Sequence, residues 1–174
     1  MNTEYLKNSI RQVPNFPKEG IMFLDLTTAF KDPKCLRFIS DSLVELYKDK
    51  GITKVLGIES RGFLAGSGLA EKLGIGFVPI RKKGKLPADC YEVSYELEYG
   101  SACIEIHKDA IDKNDVVLIH DDLLATGGTM RAAIELVKMF HVEHIYVNFL
   151  VELDFLNGRA NFPKDVHVES LVHF

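Results

Sequence analysis

The sequence has little cysteine and no organised use of it. Cys35, Cys90 and Cys103 are odd in number and form no C-x-x-C pair, which disfavours both a disulfide framework and a zinc site. Reduced thiols and a cytoplasmic setting are expected. No apolar run approaches the ~20 residues that a membrane span requires. The opening MNTEYLKNSIRQV lacks the basic start and apolar core of a secretory signal. Excess positive charge is missing too: 21 basic against 25 acidic side chains give a formal charge of -4, unlike the basic domains of general nucleic-acid binders. A small molecule is therefore the expected partner, with neither nucleic acid nor membrane. Repeats, low-complexity tracts and linkers are absent. The 174 residues, 47% of them hydrophobic, read as one domain, 1–174, long enough to bury roughly 70% of its unfolded surface.

What is present is an alternation of element types. Residues 3–11 read as a short helix. The segment VPNFPKEGIMFLDLT contains Pro14 and Pro17, which rule out a long helix there. Asp32-Pro33 is a good helix start, and Leu36, Ile39, Leu43 and Leu46 continue at helical spacing to about Lys50. KVLGI (54–58), a small-residue helix over 62–73 and GFVPI (76–80) then make a β-α-β unit. Strands are expected at 101–107, 115–119 and 144–153, with a helix over 128–140. Such a pattern specifies an α/β fold with a mainly parallel sheet flanked by helices. Residues 81–100 are polar and too long for an ordinary connection, a length at which loops in compact domains are commonly lids or binding loops.

One stretch carries chemistry. In LIHDDLLATGGTM (118–130), an apolar strand reaches Asp121 and Asp122, and Ala125-Thr126-Gly127-Gly128-Thr129 then turns the chain into a helix. Glycines allow backbone angles other residues resist and keep side chains away from a bound group. The turn amides and the positive end of the helix dipole form a phosphate seat. No Lys follows the glycines and there is no G-x-G-x-x-G, so neither the triphosphate loop nor the dinucleotide fingerprint applies. Two carboxylates beside an anion seat make sense for a ligand with both a phosphate and a diol, the carboxylates meeting sugar hydroxyls directly or through Mg2+. A ribose 5-phosphate has both.

The same stretch resembles the phosphoribosyl-pyrophosphate signature of the type I phosphoribosyltransferases. FPKEGIMFLDLT, IESRGFLAGSGLA, GFVPIRKKGKLP and YELEYGSACIEIHKDAI are similar, in that order, to successive blocks of the adenine-specific members, from about Val13 to Leu153. The resemblance implies a magnesium-dependent, dimeric salvage enzyme that converts adenine and phosphoribosyl pyrophosphate into AMP and pyrophosphate. It implies that Asp121 and Asp122 hold the ribose hydroxyls, with Mg2+ held there directly or through water, and that Ala125, Thr126, Gly127, Gly128 and Thr129 hold the 5'-phosphate. Arg61, Arg81, Lys82 and Lys85 would meet pyrophosphate, Met22, Phe23 and Leu24 the base. Glu98 and Tyr99 match the family's catalytic-loop pair: Glu98 as general base toward the N9 proton, Tyr99 placing or covering the sugar. A lid over 81–99 would keep water from the activated sugar.

Two positions depart from the family pattern. Leu24 stands where a cationic residue, commonly Arg, is usual, so base recognition there would rest on main-chain groups. His120 replaces an apolar residue and reads as a packed strand position. His141 and His144 lack a third ligand nearby and do not read as a metal pair. A transferase for another purine and a sensor that kept the sugar site but lost catalysis remain open alternatives.

Overall fold

Residues 2–96 and 100–174 are described by the computed structural model. The chain opens with α1 (Thr3–Ser9), β1 (Arg11–Pro14), β2 (Met22–Asp25), α2 (Thr27–Lys31) and α3 (Pro33–Tyr47). The central unit follows as β3 (Lys54–Ile58), α4 (Gly62–Leu73), β4 (Gly76–Lys82), β5 (Cys90–Glu96) and β6 (Ser101–His107). Last come β7 (Val116–Leu124), α5 (Gly128–Lys138), β8 (His144–Glu152), two 3-10 turns at Asp154–Leu156 and Gly158–Asn161, and β9 (His167–His173).

Among the described residues seven strands form one sheet in the order β5-β6-β4-β3-β7-β8-β9. Neighbours from β4 through β9 run parallel; β6 is antiparallel to both β4 and β5. The short strands β1 and β2 pair separately as an antiparallel hairpin. The mainly parallel α/β architecture expected from the alternation is present. Strand β8, with all but its first and third residues buried, has the continuous apolar character of a strand covered on both faces. One core layer packs Leu56 and Ile119 against Met130, Ile134 and Val137 of α5. The other packs Val55 and Leu118 against Ile39 and Leu43 of α3 and Leu69 of α4. Among the described residues no helix is long and apolar enough to cross a membrane.

Several expectations need correction. Helix α3 starts as foreseen, with the Asp32 carboxylate accepting from the Lys34 amide at 2.9 Å, but its inward face is Cys35, Ile39, Leu43 and Tyr47. Leu36 and Leu46 lie on its exposed margin. The 81–100 segment is not a plain loop: β4 continues to Lys82, and β5 pairs with β6 from Cys90↔His107 to Glu96↔Ser101. Strand β7 also runs past His120 to Leu124, so the two aspartates sit within it, not beyond it.

Strand β3 has β4 on one side and β7 on the other. The chain passes from β3 to β4 on one side and, after β5 and β6, returns to the other side of β3 as β7, so the strand order reverses at β3 and a crevice opens at the carboxyl ends of β3 and β7.

Candidate active site

Two strand ends build the crevice. From β3 the chain passes through Glu59, Ser60 and Arg61 into α4, and a side chain at Gly62 would lie 2.6 Å from the His120 carbonyl. Glycine is required for α4 to start this close to β7. On β7, Leu118, His120 and Asp122 share one face by the two-residue period of a strand. Leu118 is in the core beneath α4, His120 packs beside Gly66, and Asp122 Oδ2 lies 2.8 Å from Arg61 Nε. That contact is an ion pair without hydrogen-bond alignment, so the buried Oδ2 keeps its acceptor capacity. Asp121 Oδ1 accepts from the Asp122 amide at 2.9 Å.

Beyond β7 the backbone turns at Gly127, whose φ is +82°. A Cβ there would lie 2.7 Å from the Gly158 carbonyl oxygen, so the left-handed angle and the close approach both select glycine. Helix α5 begins at Gly128. Its first-turn amides have no helical carbonyl before them, and they border a hollow of about 100 Å3 lined by Asp121, Leu124, Gly127, Gly128 and Thr129. The corner is braced from two sides. Thr129 Oγ1 donates to Tyr95 Oη of β5 at 3.2 Å, and Asn161 Nδ2 donates to the Thr126 carbonyl at 3.1 Å.

Two larger hollows adjoin this seat and share Leu123, Ala125 and Thr129 with it. One, of about 400 Å3, is polar and lined by Glu59, Ser60, Arg61, Lys82, Asp121 and Asp122. The other, of about 670 Å3, is mostly apolar: Met22, Phe23 and Leu24 from β2 contribute, with Leu153, Phe155 and Leu156. Phe23 stands edge-to-face with Phe16 at 5.1 Å, and the Arg61 guanidinium carbon lies 5.7 Å from its ring centre. Leu24 is at once a wall of this hollow and a core residue, 5% exposed.

The crevice thus gathers Arg61, Lys82, Asp121, Asp122, residues 125–129 and Met22 to Leu24. Arg81 and Lys85 are not among the residues lining these hollows. The Arg81 guanidinium donates to both oxygens of Glu59, at 3.2 and 3.3 Å. The Lys85 amide donates to Glu105 at 2.8 Å. Glu98 and Tyr99 lie outside the described residues. His141 and His144 are remote from the crevice, in a hollow with Lys113, Asn114 and Asp115.

A model of the phosphoribosyl transferase domain matches residues 27–165. The chain belongs to the phosphoribosyltransferase family. It is 60% identical over 172 residues to the adenine phosphoribosyltransferase of Bacteroides thetaiotaomicron, spanning 99% of this chain and 98% of that one. The adenine phosphoribosyltransferase of Rhodothermus marinus superposes with a TM-score of 0.92 at 49% identity, covering 99% of this chain and 98% of the other. The Saccharomyces cerevisiae enzyme, solved with adenine and an imino-altritol bisphosphate, gives 0.91 at 44% identity over 98% of both chains.

The electrostatics of the enzyme are set by burial. Loss of solvent, reinforced by the neighbouring Asp122 charge, holds the Asp121 carboxyl well above the usual carboxylate range. Burial also raises Asp122, against the pull of Arg61. On the same strand, His120 is fully buried with Nδ1 2.9 Å from Asn148 Oδ1. Burial lowers its pKa to about 4, which makes it a neutral packed residue, as its place in an apolar strand suggests. Glu59 is held below its ordinary value, first by the hydrogen bond from Arg81.

Sequence reasoning missed Tyr95, Gly158 and Asn161, which touch the glycine corner from β5 and the second 3-10 turn. The alternation YEVSYE was a usable signal for β5. Asn157-Gly158 signalled a turn but not its destination.

Proposed function

We propose that the enzyme transfers the 5-phosphoribosyl group from phosphoribosyl pyrophosphate to adenine, giving AMP and pyrophosphate. The observation that carries this reading is the acidic pair on β7 leading into the glycine corner, with a polar hollow and an apolar one sharing its walls. Residues 125–129 receive the 5'-phosphate through first-turn amides and threonine hydroxyls. Asp121 and Asp122 accept hydrogen bonds from the ribose hydroxyls. Arg61 and Lys82 neutralise pyrophosphate; Arg81 and Lys85, both near Glu59, extend that positive field. The backbone of Met22 to Leu24 and the ring of Phe23 take the base. Leu24 offers no polar side chain, so discrimination among purines falls to main-chain donors and acceptors, where an unmatched buried group is costly.

Departure of pyrophosphate leaves oxocarbenium character at the anomeric carbon, which nearby carboxylates stabilise. Glu98 accepts the base's proton and Tyr99 covers the sugar. The unspent acceptor at Asp122 Oδ2 and the adjacent Asp121 suit a hard, oxygen-seeking cation. These two residues would hold Mg2+, directly or through water, and the ion when bound would offset charge on the leaving group. One domain carries the whole activity. The enzyme acts as a homodimer, and in the cytoplasm, where the free thiols of Cys35, Cys90 and Cys103 would stay reduced.

The test is turnover with phosphoribosyl pyrophosphate and magnesium, offering adenine, hypoxanthine, guanine and xanthine separately. Adenine-dependent release of pyrophosphate with formation of AMP is expected. Equal rates with all four bases would refute the adenine assignment, and no release with any would refute transferase activity.

A further inference from the structure

We propose that Phe155 is a further base-binding residue whose ring packs on the purine and covers the mouth of the apolar hollow. This inference rests on the functional reading above. Phe155 is 76% exposed, the largest exposure among the big hydrophobic side chains of the described residues. It nonetheless lines the same hollow as Phe23 and Leu24, and neither polar hollow. A bare phenyl ring at the rim of an apolar cavity gains by covering a flat, weakly hydrated ligand face, and aromatic pairs gain further from offset or edge-to-face contact.

The turn that carries that ring is anchored at both of its ends. The Leu153 amide donates to the Leu124 carbonyl at 3.0 Å, and the Asp154 amide to the Phe174 carbonyl at 2.9 Å. Arg159 Nε donates to Glu152 at 2.7 Å, while its two terminal nitrogens reach the Val168 carbonyl at 3.0 Å and Ser170 Oγ at 3.1 Å. A Cβ on Gly158 would stand 2.3 Å from the Ala125 carbonyl oxygen, so the segment is seated directly against the phosphate corner. Binding therefore orders only the side-chain torsions of Phe155, not its loop, and little of the stacking gain is lost to ordering.

The experiment compares the full-length enzyme with Phe155→Ala and Phe155→Tyr, varying adenine and phosphoribosyl pyrophosphate in turn. For Phe155→Ala the KM for adenine should rise about tenfold, the worth of one good aromatic stack. Its kcat, its KM for phosphoribosyl pyrophosphate and its Tm should stay near wild type, and Phe155→Tyr should restore the KM for adenine. An unchanged KM for adenine in Phe155→Ala overturns the proposal. So does a matched rise in both KM values with a lower Tm, which would mark a structural role. Dissociation of a dimer in sedimentation, with the KM for adenine unchanged, would assign the ring to a subunit contact instead. If the wild type itself turns over no adenine, the functional reading fails, and calorimetric titration of adenine into wild type and Phe155→Ala still decides whether the ring binds a purine.

Discussion

Arg61 and Asp122 form an ion pair of unequal halves: Nε and Oδ2 are 2.8 Å apart, with the Arg61 side chain 37% exposed and that of Asp122 only 3%. The guanidinium can therefore serve the carboxylate with one edge and the crevice with the other, since its donors form a planar fork. Arg61→Ala leaves a buried carboxylate without its counter-charge and is expected to cost roughly 1–3 kcal/mol of stability. Adding Asp122→Asn should recover most of the Tm. Turnover should be low in both variants, and recovery of activity in the double variant would show that Arg61 matters only as a counter-ion.

Asp121 should behave oppositely in stability and function. Its raised pKa means that the folded state favours the protonated form. The stabilisation is full below the unfolded value and is lost as pH rises through the folded one. Asp121→Asn stays neutral at every pH, so its Tm at pH 7 should exceed wild type by about 3 °C. The advantage should shrink as the solution is acidified. Sugar-phosphate affinity should fall in the same variant; an equal or lower Tm by calorimetry would contradict the assigned environment.

His120 sets an acid limit. Its folded pKa of about 4 lies below the ordinary 6.5, so its contribution is intact above pH 6.5 and is lost as pH falls toward 4. The loss approaches on the order of 3 kcal/mol at the acid end. His120→Gln should flatten the stability profile between those pH values in denaturant titrations. A slope unchanged by the substitution would mean that other groups cause it.

Gly127→Ala should cost about 2 kcal/mol, combining a left-handed angle with the 2.7 Å approach to Gly158. It should also raise the KM for phosphoribosyl pyrophosphate. Gly74, at φ +69° with open space around it, supplies the control: alanine there should lower the Tm modestly and leave both KM values alone.

The parts of the fold legible in the sequence were those with a strong period or a strong stop. β3, α4 and β6 fall where expected, because KVLGI and its successors are bounded by glycine and charge. β5 was passed over despite the alternation in YEVSYE, because it is the edge strand of the sheet and carries charge on one face as exposed edges do, so it reads as a polar connection. Strand β9 lacks a sustained apolar run and depends on β8 for its pairing. In the site, the acidic pair and glycine corner could be read directly, since backbone angle and charge are local properties. The bracing by Tyr95 and Asn161 and the placement of Phe155 are tertiary relationships, and no local pattern encodes them. The burial of Asp122 was likewise invisible, because it follows from β7 continuing four residues beyond His120.

The interlock of Gly127 with Gly158 has a geometric consequence. Because the glycine corner and the turn that bounds the apolar hollow press backbone on backbone, neither can shift without the other. On the proposed reading the crevice is a gauge of fixed span, expected to reject nucleotides whose ring and phosphate are set too near or too far apart.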